Sequence, residues 1–92
     1  MTDDEFTAYL KTRGRADEIS GLIDKLGFTR DFVITKILNS NASLSVAQIA
    51  MLWMGMPNKH DRKKTRQLVD ALTEVGLLKP DAQAEMWSST VA

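Results

Sequence analysis

Residues 61–78 read DRKKTRQLVDALTEVGLL, and the way this stretch folds decides how the rest of the chain is understood. Leu68, Leu72 and Val75, flanked by Val69, recur at helical spacing and form one apolar stripe. Lys59, Arg62, Lys63, Lys64 and Arg66 crowd the first turns of the same helix. Its second half can therefore anchor in a core while its first half presents cations on a surface. A recognition helix on DNA is divided in this way between packing and reading. Asp61 is the expected N-cap, which places the helix start near Asp61. Gly76 is the expected stop, and Leu77–Leu78 leads out into an extended segment.

The residues before this helix read as its partner. Ser45-Val46-Ala47-Gln48 is a capping box, with Ser45 serving the N3 amide and Gln48 reaching back. The helix it starts runs from Val46 to about Met54 and is expected to bury Val46, Ile49, Ala50 and Trp53. Gly55 ends it, and Met56-Pro57-Asn58 forms the turn. Two helices joined by a few Gly and Pro residues, the second basic at its start, make a helix-turn-helix arrangement.

Further upstream, Thr29 can cap a helix from Arg30 to about Asn39 with Phe32, Val33, Ile34, Ile37 and Leu38 apolar, a face wide enough for a central position. Residues 39–43, NSNAS, read as a loop. Ala16 to Leu26 carries Ile19, Leu22, Ile23 and Leu26, the most regular helical stripe in the chain, with Gly27 as its C-cap. Gly21 inside it costs about 1 kcal/mol of helix propensity against Ala, which predicts close approach by another element. Asp3 to Thr12 carries Phe6, Tyr9 and Leu10 behind an acidic first turn, and Gly14 breaks it between Arg13 and Arg15. After Gly76 a short hairpin is expected: Leu77–Lys79, a turn at Pro80–Gln83, and Glu85–Val91, with Trp87, Ser89 and Val91 on one side. Asp81 would lie at its tip.

The stretch ending in Val69, Leu72, Gly76, Leu77 and Leu78 resembles the third helix of winged helix-turn-helix DNA-binding domains, which often closes L-x-x-L-x-x-x-G-L-L/I. Its opening, Asp61-Arg62-Lys63-Lys64-Thr65-Arg66, is similar to the S-R-x-T-V-R that starts this helix in the gluconate-repressor type. It keeps both arginines and differs at the first, fourth and fifth places. The resemblance covers about half the chain. It implies a mainly α fold: a winged helix-turn-helix core over residues 28–92, an N-terminal helical extension over 1–27, and a short C-terminal β-hairpin, all in a single domain.

Composition excludes much else. The 92 residues, 43% hydrophobic, suit one small core rather than a large enclosed active site. There is no cysteine for a disulfide, a thiolate or a Cys-based zinc site, and His60 is the only histidine, so no metal and no cofactor is expected. The five glycines are scattered singly, which excludes a Gly-rich phosphate loop. Asp3-Asp4 and Asp17-Glu18 are paired carboxylates at helix starts, where dipole complementarity accounts for them, so no enzyme is expected. No apolar run approaches the roughly 20 residues that cross a bilayer, and the start MTDDEF is unlike a signal peptide, so a cytoplasmic protein away from membranes is expected. Formal net charge is zero, yet residues 58–66 hold five basic groups against the single acid Asp61.

Two functions follow as expectations. The first is sequence-specific binding of double-stranded DNA by a small transcriptional regulator of phage or plasmid type. Asn58, Lys59, His60, Arg62, Lys63, Lys64, Thr65 and Arg66 would face the major groove: Asn reading adenine, Arg reading guanine, lysines neutralising phosphate and Thr65 meeting a thymine methyl. A homodimer on a palindrome is expected, because one such half-site contact is weak at physiological salt. The alternative is a protein-binding winged-helix adaptor, or a small inhibitor encoded by a mobile element, whose basic helix meets an acidic protein surface. Met51, Trp53, Met54 and Met56 exceed what one helix face can bury and read either as a partner or dimer surface or as filling for a crevice under the turn.

Overall fold

The computed structural model describes residues 1–92. Helix α1 (Asp3–Thr12) is started by a capping box between Thr2 and Glu5, and α2 (Ala16–Leu26) ends on Gly27 in the left-handed region at φ +86°. Thr29 caps α3 (Arg30–Phe32), its hydroxyl accepting from the Phe32 amide. The chain then winds on without a break as a π-helical segment (Val33–Leu38), in which the Asn39 amide reaches the Ile34 carbonyl at 2.9 Å. The sequence predicts a uniform α-helix here. Val33, Ile34, Thr35 and Ile37 are all β-branched and crowd an α-turn, whereas the wider π-turn gives them room while Val33, Ile34, Ile37 and Leu38 stay buried.

Helix α4 (Val46–Met54) opens with the expected capping box of Ser45 and Gln48. Helix α5 (Lys59–Glu74) follows after the four-residue turn Gly55–Asn58. Strands β1 (Leu78–Pro80) and β2 (Trp87–Ser89) pair antiparallel with Leu78 opposite Ser89 and Pro80 opposite Trp87. On its other side β2 is bridged by Leu44, whose amide and carbonyl exchange hydrogen bonds with Trp87 at 2.8 and 2.9 Å. Pro80, with no N–H to give a ladder, thus sits on the edge strand. The hairpin exists as expected, but its connection is Asp81–Met86 and its second strand is three residues long.

One hydrophobic cluster gathers residues from every element, including Phe6, Leu10, Ile19, Ile23, Ile37, Ile49, Leu68, Leu72, Leu77 and Trp87. Each fully buried aliphatic or Phe side chain contributes about 1.5–3 kcal/mol over its exposed state. Phe6, Leu10 and Ile23 are as thoroughly buried as the leucines of α5, so α1 and α2 are structural walls of this core and no seam follows residue 27. The Tyr9 hydroxyl donates to the Val75 carbonyl at 2.8 Å, and Arg15 pairs with Glu74, both fastening the N-terminal helices to the end of α5. Gly21 is exposed, and a Cβ placed there would meet nothing within 4 Å, which corrects the expectation of a close approach. Val46 is half-buried rather than buried, because it lies at the rim of α4. No helix is long and apolar enough to cross a membrane.

Candidate nucleic-acid interface

The expected N-cap of α5 is corrected by three residues. Asn58 caps the helix, accepting from the Asp61 amide at 2.9 Å, while Asp61 accepts from the Asn58 amide at 3.0 Å as the other half of a capping box. Asp61 is thereby committed to the backbone. Asn58 keeps only its side-chain NH2 for an outside partner. A bidentate contact to adenine, which uses both amide atoms, would open the cap at about 1 kcal/mol.

The inward face of α5 is Thr65, Leu68, Val69 and Leu72. Thr65, expected to meet a base, is 1% exposed and its hydroxyl donates to the Asp61 carbonyl at 2.8 Å, so it packs and does not read. On the outward face Lys59, His60, Arg62 and Lys63 come together around an open cleft of about 600 Å³ that no apolar residue borders. None of the three cations is ion-paired, whereas Arg15, Arg30 and Arg66 all are. The Arg62 guanidinium turns back to donate to the Pro57 carbonyl at 3.0 Å, which fixes it over the turn. Lys59 and Lys63 stand one helical turn apart, where like charges oppose helix formation by about 0.2–0.5 kcal/mol, and both face the positive end of the helix dipole. An anion is what would relieve that arrangement. Lys64 is exposed but lies to one side, bordering a small cavity of about 160 Å³ with Phe28 and Trp53.

Arg66 departs from the expectation of a free reading residue. Its Nε lies 3.0 Å from Asp70, its Nη1 lies 3.0 Å from Glu85 in the hairpin connection, and its guanidinium carbon sits 5.0 Å from the centre of the Trp87 ring. Hydrogen bonding to Asp70, with Glu85 adding to it, holds its pKa above the ordinary arginine value. The Asp70 partner is legible as an i, i+4 spacing, but Glu85 is brought in only by the hairpin. Glu85 itself adopts φ +62°, a left-handed backbone unusual for a non-glycine residue.

Asp81 is not a free tip either. It accepts from the Ser43 hydroxyl and, at 2.6 Å, from the Ala82 amide, and these bonds, that of Ser43 first, lower its pKa.

The apolar surplus divides in two. Trp53 packs its indole against Phe28 and Phe32, with centroids 5.3 and 4.8 Å apart, and so belongs to the wall of the core rather than to a partner surface. Met51, Met54 and Met56 stay half or more exposed, joined by Leu52, which helical periodicity does not single out. No protein-family model, curated protein or solved structure matches this chain.

Proposed function

We propose that this chain binds double-stranded DNA through the first two turns of α5, as a small sequence-specific regulator of phage or plasmid type built on a winged helix-turn-helix. The observation that carries the reading is the cleft of Lys59, His60, Arg62 and Lys63, with its unpaired cations on the solvent face of a helix whose opposite face is locked into the core. Lysines there neutralise phosphate and Arg62 is the base-reading candidate. The order of elements supports the winged form: a central helix, Leu44 bridging to β2, the two helices of the turn, then the hairpin. Fluorescence anisotropy with a labelled random duplex at low salt tests it; binding opens the way to selecting the specific site, and no binding at low salt sinks the proposal.

A protein-binding winged helix is the second reading. Carboxylates at Asp81 and Glu85 in the hairpin connection favour it, since a connection of that sign suits a protein surface better than a phosphate backbone.

A further inference from the structure

Helix α4, VAQIAMLWM, contains no charged residue. Met51, Leu52 and Met54 are 56%, 52% and 50% exposed, and Met56 in the following turn is 93% exposed. Met51, Leu52 and Met56 border one pair of neighbouring grooves, whereas Met54 faces Phe28 and Lys64. An apolar patch on the order of a few hundred Å² is about the largest a small monomer carries and is often functional.

The shape of the patch narrows the occupant. Met51 stands between two shallow grooves, one of about 400 Å³ bordered by Ala47, Met56 and Arg62, the other of about 290 Å³ bordered by Leu44, Gln48 and Leu52. A ridge with a groove on each flank is complementary to itself. Rotated about a two-fold axis, Met51 of one copy enters a groove of the other, and the contact is returned in kind. The charges agree with this. Arg62 borders one groove, while Asp81, hydrogen-bonded to Ser43 beside Leu44, lies towards the other. An antiparallel pairing of the two α4 helices brings each copy's Arg62 towards the second copy's Asp81. Zero net charge adds no long-range repulsion between copies.

We propose that this face is the seam of a symmetric dimer and that the occupant of its grooves is a second copy of this chain. The area is well under the roughly 800 Å² per partner of a stable interface, so the dimer is weak. It forms without DNA, and although Arg62 borders both surfaces its test is made on the protein alone, apart from the duplex-binding proposal.

Sedimentation equilibrium of the full chain, up to about 1 mM, where a weak association with a standard free energy of only about −4 kcal/mol still shows, is the test. The mass should climb from 10.3 kDa towards twice that value. Met51→Glu should weaken association at least about tenfold by burying two like charges near the axis, whereas Lys25→Glu on the exposed face of α2 should leave it unchanged. Because the chain has no cysteine, Met51→Cys supplies a second readout. On oxidation it should form a covalent dimer faster than Lys25→Cys does. A monomer throughout the range overturns the proposal and leaves the face to a different protein chain. So do a dimer indifferent to Met51→Glu and equal cross-linking at the two positions.

Discussion

Replacing the lysines of the basic cleft should change how duplex affinity responds to salt, by an amount the geometry sets. Lys59, Arg62 and Lys63 are the three cations brought together without a carboxylate partner. If the two lysines each neutralise one phosphate while Arg62 reads a base, the slope of log affinity against log salt is about −1.8, so raising salt from about 50 to about 200 mM weakens binding about 12-fold. The Lys59→Ala/Lys63→Ala variant loses both phosphate contacts, so its affinity should be nearly independent of salt over the same range. Arg66→Ala should leave the slope unchanged, because its guanidinium is already held by Asp70 and Glu85 and lies over Trp87. Fluorescence anisotropy on a labelled duplex, titrated at several salt concentrations for each variant, reads all three slopes. The reasoning is refuted if Arg66→Ala takes a unit off the slope while the double lysine variant does not. Each substituted side chain is exposed, so thermal unfolding should confirm that all the variants remain folded.

Three further outcomes are expected. Gly76→Ala should destabilise the fold by about 1–3 kcal/mol in urea titrations, because φ is +86° and a Cβ would lie 2.9 Å from the Tyr9 hydroxyl; adding Tyr9→Phe should then cost less than Tyr9→Phe alone, and simple additivity would contradict the clash. Asp81 has a lowered folded-state pKa, so the unfolded chain binds more protons there. Its contribution is complete above the unfolded pKa of about 4 and is lost as pH falls through the lower folded value. Asp81→Asn should accordingly flatten the acid limb of the stability profile, and an unchanged limb would remove Asp81 from the account. Glu85→Gln should raise duplex affinity about two- to fivefold at low salt by releasing Arg66 and removing a carboxylate beside the phosphates; no change would place Glu85 away from the DNA.

Much of the architecture is local and therefore legible in the chain itself. The stripes of α2 and α5, the capping box at Ser45, the cap at Thr29 and the left-handed stops at Gly27 and Gly76 depend on residues within a turn or two of one another. The cap of α5 is misplaced by sequence reading because Asn58 and Asp61 are both good capping residues; three-residue spacing fits them as the two halves of one box, and backbone geometry chooses between them. The π-turns at Val33–Leu38 show no sequence signal beyond their β-branched crowding.

The cluster of Lys59, Arg62 and Lys63 can be read from spacing alone, since residues three and four apart share a helix face. What removes Thr65 and Arg66 from that face is not local. Thr65 is buried because α5 is rolled onto the core by Leu68, Val69 and Leu72, and Arg66 is occupied by a glutamate 19 residues away that a hairpin folds back beside it. Trp53 likewise becomes core only when Phe28 and Phe32 arrive from a different part of the chain. Periodicity specifies which residues share a face; which faces meet, and hence which charges remain free for a ligand, is decided by packing the helices and the hairpin around one core.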